Sequence, residues 1–123
     1  MELFDTALDN VHILSTEVSG NDLVVSYVFF NNFAFANLEN VNFKNASLWH
    51  ADFYSANLTN ANLSGADLRK SLLVNADLSN ANLHGVDISG VDLSGADLSG
   101  ANLSAVVYDQ YTILECVNHP ICV

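Results

Sequence analysis

Strong bases are nearly missing from this chain. Lys44, Arg69 and Lys70 stand against 14 acidic residues in a chain of 123, giving a formal net charge of −11. Direct nucleic-acid binding through a basic surface is thereby excluded, because it needs Lys and Arg clustered to neutralise several phosphates. Long apolar runs are missing as well. Hydrophobic residues make up 50% of the chain, yet no stretch approaches the roughly 20 consecutive apolar residues of a membrane-crossing helix. The start, Met1-Glu2-Leu3-Phe4-Asp5, lacks the basic opening and apolar core of a secretory signal. A soluble cytoplasmic protein is the expectation, with a lumenal or periplasmic one only if a targeting segment was removed.

Catalytic and cofactor signatures are also lacking. Ser64, Ser79, Ser89, Ser94, Ser99 and Ser104 recur as exposed-corner residues, and none has a His and acid indicated beside it. His12, His50, His84 and His119 are scattered, and His50 and His84 fall in outward positions that fit solvated side chains. The stretch Ser89-Gly90-Val91-Asp92-Leu93-Ser94-Gly95 has no phosphate-loop Lys and no Gly-X-Gly-X-X-Gly spacing. It also lacks the nonapeptide form of calcium β-rolls. Cys116 and Cys122 are the only cysteines. Two free thiols are the first reading, and a small disulfide loop is the alternative in an oxidising compartment. With His119 alone nearby, the ligands of a zinc site are incomplete. No catalytic residue, cofactor or metal is expected.

What the chain does have is a period of five, running without a slip from Ala36-Asn37-Leu38-Glu39-Asn40 to Ala101-Asn102-Leu103-Ser104-Ala105. Five fits neither the 3.6 period of a helix nor the 2 of a strand. Leu every five residues would rotate about 140° per step around a helix, leaving no apolar stripe. Within each five, however, the first and third residues are apolar and two apart. That spacing makes a one-step strand with the intervening Asn or Asp pointing outward. The remaining positions hold Ser, Asn, Gly and Thr, which suit a corner. A short unit of this kind cannot bury its apolar face alone, so the pattern predicts a stacked solenoid with Ala near the wall and Leu or Phe filling the centre.

The Ala-(Asp/Asn)-Leu-X-X run resembles the pentapeptide-repeat protein family. The resemblance implies an all-β, right-handed quadrilateral parallel β-helix with four fives per coil. Tyr108-Asp109-Gln110-Tyr111-Thr112-Ile113-Leu114 is similar to the Tyr-Asp-X-X-Thr-hydrophobic stretch that often follows the last coil in this family, although Leu114-Glu115 replaces the usual Phe-Pro. Residues 31–106 are read as the β-helix, with a C-terminal cap or tail over 107–123. Residues 1–30 are read as a β-rich cap or as degenerate coils. Val11–Leu14 and Leu23–Phe30 are strand-like around the turn residues Ser19-Gly20-Asn21-Asp22, and a short helix over 2–10 is a further option. Leu3, Leu8, Ile13, Val18, Leu23 and Val28 keep the phase of the repeat, which is the argument for degenerate coils.

Four fives per coil would stack residues twenty apart. One face then carries Asn42, Asn62, Asn82 and Asn102; a second Ser47, Asp67 and Asp87; a third Asn32, Asp52, Leu72 and Asp92; a fourth Asn37, Asn57, Asp77 and Asp97. Asp52, Asp67, Asp77, Asp87, Asp92 and Asp97 thus form an acidic wall over three faces. Adjacent carboxylates there would repel by roughly 1 kcal/mol in water. Trp49, Tyr54, Leu72 and Val74 occupy outward positions usually given to polar groups, and Phe29 would stack with Trp49 and Arg69 in a cation–π column. Phe29, Trp49, Tyr54, Leu72 and Val74 are the candidate partner surface. The expected function is non-catalytic: an acidic β-helical rod presented to a protein partner, with a homodimer through an end cap as one form of association. Two alternatives come with the family resemblance. One is a DNA mimic that binds type II topoisomerase (DNA gyrase) in quinolone resistance; the other is a cyanobacterial or thylakoid-lumen protein.

Overall fold

The computed structural model describes residues 13–19, 22–28 and 32–123. From Asn32 onward the chain turns a corner every five residues, and parallel bridges join residues twenty apart. Asn32 pairs with Asp52, Asp52 with Leu72 and Leu72 with Asp92, which defines face 1. Face 2 runs Asn37–Asn57–Asp77–Asp97, face 3 Asn42–Asn62–Asn82–Asn102, and face 4 Ser47–Asp67–Asp87–Val107. Four fives therefore close one coil, and the outward columns are those implied by the family resemblance.

The local cause of each corner is visible in the backbone. Every fifth residue from Phe35 to Ala105 has a positive φ. Asn and Gly, which tolerate that region best, fill most of these positions. The outward Asn and Asp complete the turn, because Oδ1 accepts from the N–H two residues on, as from Thr59 to Asn57 at 3.0 Å. The inner Ala then donates back across the corner, as Ala56 N–H does to Phe53 O at 3.0 Å. Gly matters most where coils approach closely: a Cβ at Gly95 (φ +70°) or Gly100 (φ +66°) would run into Oδ1 of Asn75 or Asn80 in the preceding coil.

The interior is a column of large side chains. Leu38, Leu48, Leu58, Leu68, Leu78 and Leu98 are fully buried, as are Phe33, Phe43 and Phe53. Phe33 stacks on Phe53 with centroids 5.0 Å apart, and Phe43 meets both edge-on. Ser71 takes an inner position where the repeat favours Ala, and its hydroxyl has no partner among the described residues.

Before the coil, β1 (Ile13–Ser19) pairs antiparallel with β2 (Asp22–Val28), with Val18 opposite Leu23 and Ser19 opposite Asp22. This pairing differs in direction and spacing from the coil. The helix considered for residues 2–10 lies outside the described residues, as does Phe29.

At the other end, bridging continues through Val107, Ile113 and Val117, paired with Asp87, Asp92 and Asp97. Asp92 and Ile113 are twenty-one residues apart, so one extra residue bulges at the corner from face 4 to face 1. The Asp109 side chain repairs the ladder there. Its Oδ1 accepts from Gly90 N–H at 3.1 Å, where a backbone carbonyl serves at the corners below. Thr112 Oγ1 ties the bulge to Ile88 O at 3.1 Å. Cys116 and Cys122 form a disulfide across a Cα separation of 5.1 Å, which corrects the free-thiol reading. Their spacing alone left the two cases open. The fold decides, because Val123 N–H bonds back to Leu114 O at 2.8 Å and returns the chain over Cys116.

Candidate functional site

Face 1 and its two bordering corners gather the off-pattern apolar residues. Leu72 stands between Asp52 and Asp92 in the outward column and is 45% exposed. Tyr54 and Val74 lie at the corner leaving this face, Tyr54 exposed and Val74 half-buried. Backbone bonds fix their order, with Phe35 N–H donating to Tyr54 O at 2.8 Å and Ser55 N–H to Val74 O at 2.9 Å. Trp49 lies at the corner entering face 1, half-buried, with its ring 4.3 Å from that of His50. The structure therefore places Leu72 on face 1, Tyr54 and Val74 at the corner leaving it, and Trp49 at the corner entering it.

Two contributors were not singled out in the sequence. Phe35 is the most exposed of the group at 73%, and its ring meets Tyr54 edge-on at 5.5 Å. It fills a fifth position, where an aromatic is out of pattern, but it precedes the run that begins at Ala36. Ile113 extends the face above Asp92, and its one-residue offset from the twenty-residue step hides it from a strict count.

The acidic wall has a local task. Asp52, Asp67, Asp77, Asp87, Asp92 and Asp97 each accept the N–H two residues on, from Tyr54, Arg69, Ser79, Ser89, Ser94 and Ser99 at 2.9–3.1 Å. Asp67 also receives both Nε (2.9 Å) and Nη2 (2.8 Å) of Arg69. The guanidinium holds the Asp67 carboxyl below the usual carboxylate range, and Asp67 in turn raises Arg69. Arg69 is thus paired with Asp67 through two side-chain nitrogens; the Phe29 end of the expected aromatic column lies outside the described residues. Ser99, through its hydroxyl and its N–H, and the Asn118 amide lower Asp97. At Asp109 burial acts upward, but the N–H groups of Tyr111 and Gly90, together with Thr112, outweigh it and lower the carboxyl.

His84 Nδ1 lies 2.7 Å from Ser104 Oγ, directly one coil on. Ser104 donates its hydroxyl proton to Asn102 Oδ1 at 2.7 Å, so the imidazole is the donor to Ser104 and does not receive its proton. The pair is a contact between stacked corners and not an activated nucleophile. Among the described residues no three His, Cys, Asp or Glu side chains converge as a metal site, and no helix is long and apolar enough to cross a membrane.

These features agree with the comparisons. The family model for pentapeptide repeats matches residues 36–73 and 70–105. A pentapeptide repeat protein from the Arabidopsis thaliana thylakoid lumen aligns at 32% identity and TM-score 0.67, over 73% of this chain and 63% of its own. The chain therefore spans less than two thirds of that relative. A pentapeptide repeat protein from Nostoc PCC 7120 is also 32% identical, over 73% of this chain and 82% of its own, at TM-score 0.41. QnrB1, a plasmid-mediated fluoroquinolone resistance protein, aligns at 23% identity and TM-score 0.34, over 69% of this chain and 58% of its own. No curated protein sequence matches the chain. With a repeat model covering more than half its residues and a coil of four five-residue faces, the chain belongs to the pentapeptide-repeat family.

Proposed function

We propose that the chain is a non-catalytic binding scaffold that docks a protein partner on face 1. The carrying observation is Leu72, an exposed leucine in a column whose regular coils otherwise hold Asn and Asp, with Phe35, Tyr54 and Val74 beside it and Ile113 at its upper end. A large apolar side chain left 45% exposed, at a position where turn chemistry favours Asp, gains less from folding than an inner leucine does. It gains on association, where burying the surface still exposed is worth roughly 1 kcal/mol. The acidic columns on either side favour a partner with basic residues around an apolar centre. The test compares wild type with Leu72→Ser and Tyr54→Ala by cross-linking in cells and by light scattering of the purified chain. The variants are expected to melt normally and to lose the wild-type cross-links, or its dimer if the partner is a second copy. Variants that keep every association end this reading.

The Cys116–Cys122 bond favours an oxidising compartment over the cytoplasm, because cytosolic thiols are kept reduced. The likeness to a thylakoid-lumen protein supports the same reading. A thiol count on protein trapped by alkylation from its own cells tests it, and two free thiols would return the chain to the cytoplasm.

A further inference from the structure

The corner between face 4 and face 1 carries a groove of about 720 Å³ that runs up four coils. Trp49 lies at its lower end and Tyr111 at its upper end, where the C-terminal bulge swings out. Three coil steps of about 4.8 Å separate these levels, the length of roughly four extended residues.

The charges in the groove are unequally committed. Asp109 Oδ1 accepts from Gly90 N–H and Tyr111 N–H (3.0 Å), and shares the single Thr112 hydroxyl proton (3.2 Å) with Ile88 O. Asp87 Oδ1 accepts from Ser89 N–H at 3.0 Å. Arg69 is clasped by Asp67 through two bonds. Lys70 alone among these makes no ion pair or hydrogen bond through its ammonium group with any of the described residues. Its stem also has a reserved lane: a Cβ at Gly90 would come within 3.3 Å of Lys70 Cγ, so the missing side chain leaves room for the methylenes. In a molecule of net charge −11, an uncommitted ammonium in a groove that aromatic rings also line is the complement of a carboxylate on an apolar body.

We infer that this groove receives an extended segment of a protein partner, with Lys70 binding an acidic side chain and Tyr111 covering an adjacent aromatic one. The inference rests on the scaffold reading and adds a second anchor at the border of face 1. Elsewhere the acidic surface repels carboxylates, so this contact fixes the register in which a partner lies along the rod.

The probe is a capped Gly-Phe-Glu-Gly tetrapeptide, titrated into the ¹⁵N-labelled full chain and followed by NMR. Shifts are expected at the Ser89, Gly90 and Tyr111 amides. The Gly-Phe-Gln-Gly counterpart should bind about tenfold more weakly, as for loss of a charge-assisted bond. Lys70→Gln should erase that preference while leaving the spectrum elsewhere unchanged. Leu72→Ser should leave the titration as in wild type, since Leu72 does not line the groove. Equal binding of the two peptides, or shifts confined to other faces, overturns the groove assignment. Docking on face 1 would be untouched by that result, as it is read from cross-linking and light scattering of the Leu72 and Tyr54 variants.

Discussion

Ser71 has a core hydroxyl with no partner among the described residues. A buried polar group without a bond costs about 1–3 kcal/mol, so Ser71→Ala is expected to stabilise the chain by about 1 kcal/mol. Urea unfolding checks this, and a lower midpoint would contradict it. The carboxylates give a pH dependence. Asp67, Asp97 and Asp109 all titrate below their ordinary range when folded. Their unfolded value is near 3.9, so their contribution is complete above about pH 4 and is lost as pH falls through the lower folded values. The melting temperature should drop below about pH 4, and Asp97→Asn should flatten part of that drop. The single residues carrying these effects were only partly legible in the sequence. The outward column of Asp was plain from the period; its service as a turn acceptor was not, since the same residues also fit a solvated wall.

For the five-residue element, the corner decides what is tolerated. Gly85 and Gly95 both have positive φ, but a Cβ at Gly85 meets nothing within 4 Å, whereas at Gly95 it meets the Asn75 amide. Gly85→Ala should therefore cost only the backbone term, about 1 kcal/mol. Gly95→Ala should cost measurably more, because the Asn75 side chain must also move. Thermal melts of the two variants rank them, and equal losses would mean that the amide moves freely. The regular fives were readable in advance because each repeats one inward and one outward choice. The last coil was not: its six- and four-residue steps replace outward Asp by Val107, Ile113 and Val117, and although Tyr108–Leu114 resembles the stretch that follows the last coil in the family, that likeness did not give the offset. Phe35 escaped for a related reason, since it sits in a five that departs from the repeat.

For the whole molecule, the C-terminal return is a closure by covalent and hydrogen bonds. The Cys116–Cys122 loop is short, so reducing it should cost about 2 kcal/mol, lowering the melting temperature and loosening the segment over Leu98 and Leu103. Hydrogen exchange before and after reduction should show faster exchange at Val117 and Val123, and unchanged protection there would remove the disulfide from the stability of this end. The twenty-residue stacking has a last consequence, for insertions and deletions. Excising one complete circuit leaves every later face in its azimuth. Excising five residues, such as 76–80, preserves inward and outward choices but rotates all that follows by a quarter turn. Leu72 would then lose Asp92 from its column, and Trp49 with Lys70 would part company with Gly90 and Tyr111. Such a chain should still fold yet present its surfaces on the wrong sides, so the heritable unit of length change for function is the full circuit, not the five.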